Sequence, residues 1–210
     1  MTNARPYWNK KHLSYADQDW INKPSLFAQW ALPYLPAGGT LLELGAGQAQ
    51  DSRLFDASGF EVTATDFSEQ ALELAKEKSP ESIIFQRVEL AQSLPYEDES
   101  FDVVYSHLAL HYFDEDTTRK LFAEIKRVLK PGGVLAALFN STTDPEITEG
   151  EEIEPNFYHL NGIDKRFFSP EIARAFAADF NVIVADADGT TYKDRAIGVT
   201  DLIRLVAKKV

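Results

Sequence analysis

Short β-rich runs alternate with amphipathic, helix-length segments through the middle of this chain, and that alternation restricts the fold more than any other feature. Parallel strands need a long crossover between them, and crossovers with one apolar face are helices packed on a sheet, so the pattern is that of a parallel α/β domain. Thr40–Leu44 reads as an apolar first strand, followed through a glycine-containing turn by a helix from about Gln48 to Ser58 that Gly59 stops. Glu61–Thr65 is the second strand and ends at Asp66. Ser68 caps the next helix, ALELAKEK, whose acidic start suits the helix dipole. Ile83–Val88, Asp102–Tyr105 and Val134–Phe139 read as strands three to five. Between the last two, Leu121, Phe122, Ile125, Val128 and Leu129 share a helical face, and Pro131-Gly132-Gly133 supplies a turn. Ser169-Pro170-Glu171 starts a further helix, and Asn181–Ala185 and Thr200–Ala207 read as two closing strands.

A chain of 210 residues suits one domain. Within it, 39–140 is expected to be the core and 169–210 the closing helix and strands, while 1–38, helical and rich in aromatics, and the polar, aromatic 141–168 break the rhythm. A structureless stretch as long as the latter is more often a cover than a connection, so both are expected to act as lids. The absence of cysteine excludes a disulfide framework and thiolate metal sites and fits a reducing compartment. The longest apolar runs are strand-sized and MTNARPYWNKKH lacks a signal core, so the expected location is cytoplasmic with no membrane partner. A net charge of −12 repels nucleic acid, and Lys10-Lys11 is too small a basic cluster to reverse that.

The chemistry sits in LLELGAGQAQDS, 41–52, where a strand meets a helix through Gly45 and Gly47. Glycine allows a left-handed backbone and close approach of a ligand. A dinucleotide fingerprint needs a third glycine where Gln50 stands. Glu43 and Asp51, flanking the loop, would repel a pyrophosphate but attract a ligand bearing an ammonium and a sulfonium. Asp66, about twenty residues on, ends a strand where a carboxylate can accept ribose hydroxyls.

Four stretches in order, ELGAGQ, VTATDFS, VELAQSLPYEDESFDVVYSHLALHYF and IKRVLKPGGVLAALF, resemble the class I S-adenosylmethionine-dependent methyltransferases, specifically the type 11 methyltransferase-domain group, over roughly residues 40–140. The resemblance implies a Rossmann-like, seven-stranded, mostly parallel sheet with helices on both faces and the last strand antiparallel. It also places Glu43, Gly45, Ala46, Gly47 and Gln48 around the methionine moiety of S-adenosylmethionine, Asp66 and Phe67 at ribose and adenine, Glu89 and Leu90 at the adenine, and Ser106 and His107 near the transferred methyl. Two positions depart from the family's pattern: Ala49 stands for its third glycine, and Glu89 for a more usual Asp.

In-line methyl transfer needs alignment and exclusion of water more than a fixed catalytic group. Where the acceptor must lose a proton, His107, His111 and Tyr112 in SHLALHY are the candidate bases. His107 and His111 are not read as a metal pair, because the motif holds no third ligand. Trp8, with Tyr7, Tyr15 and Trp20, is placed to close over the cofactor by cation–π attraction. Tyr15, Tyr158, His159 and Arg166 are the candidate acceptor contacts, with Phe157 and Phe167 beside them; a structural ion pair competes for Arg166. The expected function is methyl transfer to a small molecule. The alternatives are a catalytically silent S-adenosylmethionine-binding regulator and a nicotinamide-dependent oxidoreductase.

Overall fold

The computed structural model describes residues 5–15, 18–193 and 196–210; of the N-terminal stretch expected to form a lid, residues 1–4 and 16–17 lie outside it. Two short helices come first, α1 (Arg5–Tyr15) and α2 (Leu26–Ala31), the latter capped by Ser25, whose hydroxyl accepts the Ala28 N–H. The alternating core follows: β1 (Gly39–Leu44), α3 (Gln50–Ala57), β2 (Phe60–Asp66), α4 (Glu69–Lys78), β3 (Ile84–Arg87), β4 (Phe101–His107), α5 (Glu115–Val128) and β5 (Leu129–Phe139). Three short strands, β6 (Glu151–Glu154), β7 (Phe157–Leu160) and β8 (Ile163–Arg166), precede α6 (Pro170–Phe176) and a long hairpin, β9 (Phe180–Lys193) and β10 (Ala196–Lys209).

Seven strands form one sheet in the order β3-β2-β1-β4-β5-β10-β9. The first five pair in parallel, and only β10, the last strand of the chain, runs against its neighbours. Both faces are buried. Leu42, Leu44, Val104, Leu135, Ala137 and Phe139 point to the side covered by Leu121, Phe122 and Ile125 of α5. Leu41, Val103, Tyr105, Val134, Ala136 and Leu138 point to the side covered by Phe27 of α2 and Phe55 of α3. That period-2 split with apolar residues on both faces is why the strands read as near-continuous hydrophobic runs. Ser68 and Ser169 cap α4 and α6 as expected, accepting from Ala71 and Ile172.

Several elements differ from the sequence reading. The helix expected from Gln48 starts at Gln50, because Ala49 takes a left-handed conformation, φ 58 and ψ 32, that no α-helix accommodates. Leu129 opens β5 instead of closing α5. Pro131-Gly132-Gly133 lies within β5: the register jumps from Phe101–Leu129 to Val103–Val134, so the extra residues bulge outward, with Gly132 at φ 75. The stretch 141–168, expected to be structureless, contains the antiparallel sheet β6-β7-β8. The closing strands are also far longer than their apolar centres, pairing with one another from the Phe180–Lys209 pair outward while β10 meets β5 only over Ile203–Lys208. Among the described residues no helix is long and apolar enough to cross a membrane.

Candidate active site

In a sheet ordered β3-β2-β1-β4-β5 the connections from β1 and β4 leave in opposite directions, and the crevice between them at the carboxyl ends of the strands is where such folds bind ligands. A cleft of about 680 Å³ opens there. The loop after β1 brings Gly45, Ala46, Gly47 and Gln48 to it, the end of β2 brings Asp66 and Phe67, and Glu89 and Leu90 follow β3. His107, His111 and Tyr112 come from the end of β4 and its loop, and Trp8, Tyr15 and Trp20 from the N-terminal segment.

Three carboxylates meet at the β1 end. Glu43 is fully buried with one oxygen held by the Ser52 hydroxyl. Burial first, then the charge of Asp51, pushes its carboxyl well above the ordinary range, while Arg53 and the Ser52 bond oppose the rise only in part. Asp66 accepts the N–H groups of Gly47 (2.9 Å) and Ser68 (2.8 Å); burial raises its pKa against the opposing effect of His12. Asp51 contributes charge alone, since its oxygens are taken by Ser25 N–H (2.6 Å), Ser25 hydroxyl (2.8 Å) and Tyr105 hydroxyl (2.7 Å). Those bonds tie α2 to the start of α3.

The two loop glycines answer to the protein's own packing. A Cβ on Gly45, at φ +75, would sit 2.2 Å from the Ala109 methyl, and one on Gly47, at φ +55, would sit 3.0 Å from the His12 ring. Ala49, where the family carries glycine, holds a left-handed backbone at the usual cost of about 1–2 kcal/mol.

Among the described residues, every buried side-chain nitrogen or oxygen without a partner belongs to a residue of this cleft: His12, Trp20, Gln50 and His111. Buried polar groups are normally satisfied, so a ring of unsatisfied ones marks a place built around a polar ligand. His111 is 1% exposed with both ring nitrogens unpartnered. Burial, then the nearby charge of Lys165 and the His107 ring, hold its pKa well below the usual histidine value, so the ring is neutral at neutral pH. His107 is also lowered by burial, but its Nε2 meets the Thr191 hydroxyl at 3.2 Å. An aromatic chain, Tyr112–Trp8–His12–Tyr15–Trp20, with centroids 5.1–6.4 Å apart, closes one side.

Residues 42–137 match the family model described as a methyltransferase domain. That stretch, a little under half of the chain, is a methyltransferase domain of the class I S-adenosylmethionine-dependent type. Relatives include the demethylmenaquinone methyltransferase of Clavibacter sepedonicus, 35% identical over 120 residues (56% of this chain, 48% of that protein). Another is the 2-methyl-6-phytyl-1,4-hydroquinone methyltransferase of Synechocystis sp., 37% identical over 125 residues (57% and 38%). The chain thus spans about half or less of the curated relatives it matches. The 1,6-didemethyltoxoflavin-N1-methyltransferase of Burkholderia thailandensis, solved with S-adenosylhomocysteine and its acceptor, shares the fold at a TM-score of 0.69 and 20% identity, covering 98% of this chain and 84% of that one.

S-adenosylmethionine is the cofactor of this methyltransferase family, and the cleft's chemistry fits it: clustered carboxylates for a cationic ligand and unsatisfied donors and acceptors for a polar one. Seven sequence-predicted residues fall outside the cleft: Tyr7, Phe157 and Phe167, of which the two phenylalanines are core residues, and four polar ones. Ser106 is buried in β4 and donates to Leu44 O at 2.9 Å. Tyr158 packs on Phe167, His159 pairs with Asp164 at 2.7 Å, and Arg166 is buried against Glu154. Asp164 and Lys165, the two residues of β8 before Arg166, line the cleft instead. Among the cleft residues that sequence reasoning did not name are His12 and Lys165. The one trace of His12 was its spacing of four from Trp8, which puts both on one face of α1.

Glu43 gives a pH prediction. With its carboxyl pKa raised in the folded protein, Glu43 stabilises the fold most at acid pH, and that contribution is lost as pH rises through the raised value. A bound ammonium reverses the shift, so binding of S-adenosylmethionine releases protons and tightens as pH rises toward neutrality, below the titration of the ligand's own amine at about 7.7–8.0. Calorimetry in buffers of different ionisation enthalpy should show proton release that Glu43→Gln removes. Proton uptake on binding would contradict the assignment.

Proposed function

We propose that this chain transfers the methyl group of S-adenosylmethionine to a small-molecule acceptor. The observation that carries the reading is the ring of unpartnered buried polar groups around one cleft, with carboxylates at one end and a neutral histidine at the other. When bound, S-adenosylmethionine supplies a methyl group made electrophilic by its sulfonium. Glu43 and Asp66 would hold the cationic and hydroxyl portions of the cofactor, with Phe67, Glu89 and Leu90 along the adenine. His12, whose Nδ1 has no partner, stands beside Gly47 to meet a further polar group of the same ligand. The aromatic chain from Trp8 to Trp20 excludes water and offers ring faces to positive charge. His111 takes the proton that the acceptor hydroxyl or amine gives up, and Tyr112 and Lys165 border the acceptor.

A small acceptor is supported by the size of the cleft, about 680 Å³, and by the net charge of −12, which disfavours nucleic acid. The named relatives act on quinone- and hydroquinone-type molecules and on a toxoflavin precursor. Calorimetry with S-adenosylmethionine and NAD, followed by a labelled-methyl screen of a metabolite extract, tests the reading: the first should bind and the second should not. Asp66→Ala should weaken S-adenosylmethionine by about 1–3 kcal/mol, the loss of a charged hydrogen-bond partner. Unchanged affinity would remove Asp66 from the cofactor site.

A further inference from the structure

Arg166 lies behind the cleft, 3% exposed, and joins elements that are distant in sequence. Its main-chain N–H donates to His111 O at 2.7 Å. Its Nε donates to Phe113 O at 3.2 Å and its Nη1 to Pro155 O at 3.3 Å, while Nη2 pairs with Glu154. The guanidinium rests 5.2 Å from the Phe157 centroid and 5.6 Å from that of Phe176. The Glu154 oxygen that receives Arg166 also accepts the N–H of Glu115, the first residue of α5, at 2.7 Å. The ion pair, buried at its arginine, therefore grips the 111–115 segment at the Phe113 carbonyl and at the start of α5, while the main chain of the same arginine holds the His111 carbonyl. His111 and Tyr112 ride on that segment, and the His111 ring makes no hydrogen bond of its own.

A buried ion pair is a costly way to fill space, since well-packed apolar residues are often as stabilising. What a guanidinium adds is a rigid, planar set of donors that can serve several acceptors in one fixed arrangement, which a lysine ammonium cannot do. We propose that Arg166, with Glu154 fixing its guanidinium, is the positioning residue that presents His111 to the acceptor; this rests on the reading of His111 as the proton-accepting group. Neighbouring residues of β8 divide the work, Lys165 reaching the cleft beside Glu146 at 2.7 Å and Arg166 holding the loop behind it. The three-stranded sheet is thus the brace of the acceptor end.

The full chain carrying Arg166→Met, Arg166→Lys or Glu154→Gln tests this without any acceptor. Three quantities are read: affinity for S-adenosylmethionine by calorimetry, the rate at which diethyl pyrocarbonate modifies His111, and the pH titration of the His111 ring by NMR. The titratable groups about that ring are Lys165 with its partner Glu146, His107 and Tyr112. Arg166→Met should expose His111 to modification about tenfold faster and bring its titration up toward about 6.5. Arg166→Lys should do nearly the same despite keeping the charge, and cofactor affinity should stay within about twofold, since no cofactor contact is altered. Should both Arg166 variants fail to fold, Glu154→Gln decides by the same two His111 readouts. A folded variant with a lowered melting temperature but unchanged His111 reactivity and titration would make Arg166 a packing residue and overturn the proposal. Failure of the wild type to bind S-adenosylmethionine would instead refute the methyltransferase reading and leave the His111 readouts interpretable.

Discussion

His111→Gln is expected to slow methyl transfer by about 10²–10⁴-fold, the usual worth of a positioned general base, with little change in cofactor affinity. Glutamine keeps a polar side chain of similar reach but cannot accept the proton, so the effect separates proton transfer from packing. His111 alone among the three candidates has the required properties: it is buried, neutral at neutral pH and without a partner on either nitrogen. Burial pushes the Tyr112 hydroxyl well above its ordinary range, so it stays protonated and cannot take up the acceptor's proton, and His107 is engaged by Thr191. Because the His111 pKa is depressed, kcat/KM for the acceptor at saturating S-adenosylmethionine should be flat through neutrality and fall only on the acid side, below the usual histidine value. His107→Ala should cost much less. A His111→Gln enzyme that turns over at the wild-type rate would return this residue to structure.

Gly45→Ala is expected to be the most damaging single-methyl change in the cofactor loop. At φ +75 any side chain is strained, and the new Cβ would stand 2.2 Å from the Ala109 methyl, a group with no flexible end to move aside. The loops after β1 and β4 would have to separate, at a cost of about 2–4 kcal/mol in stability. That separation would also disturb the cleft between them, so S-adenosylmethionine binding should fall in parallel. Gly59→Ala is the control: its φ of +92 is equally left-handed, but nothing lies within 4 Å, so only the backbone penalty of about 1–2 kcal/mol applies. Denaturant unfolding of the two variants measures the difference. Equal losses would show that the Ala109 contact is unimportant.

Of the two carboxylates flanking the glycine loop, Asp51 borders the cleft by its charge and not by a free oxygen. Glu43 and Asp51 were both expected to face the ligand, yet Asp51 spends its oxygens on Ser25 and Tyr105 and serves to dock α2. Arg166 moved in the same direction: its competing reading, an ion pair within the protein, is what the fold contains.

The order of strands and helices, the serine caps at Ser68 and Ser169, and the placement of the glycine loop and Asp66 at adjacent strand ends were set by the sequence alone. These depend on period, turn chemistry and capping, which act over a few residues and leave a local trace. Tertiary structure decided the rest: that Pro131-Gly132-Gly133 bulges within a strand, that 141–168 folds as a sheet, that His12 comes to lie beside Gly47, and that Arg166 grips the His111 loop from behind. Those outcomes join residues tens of positions apart, and a side chain's partner there is chosen by burial and by the need to satisfy each enclosed donor and acceptor, neither of which exists until the chain has closed on itself.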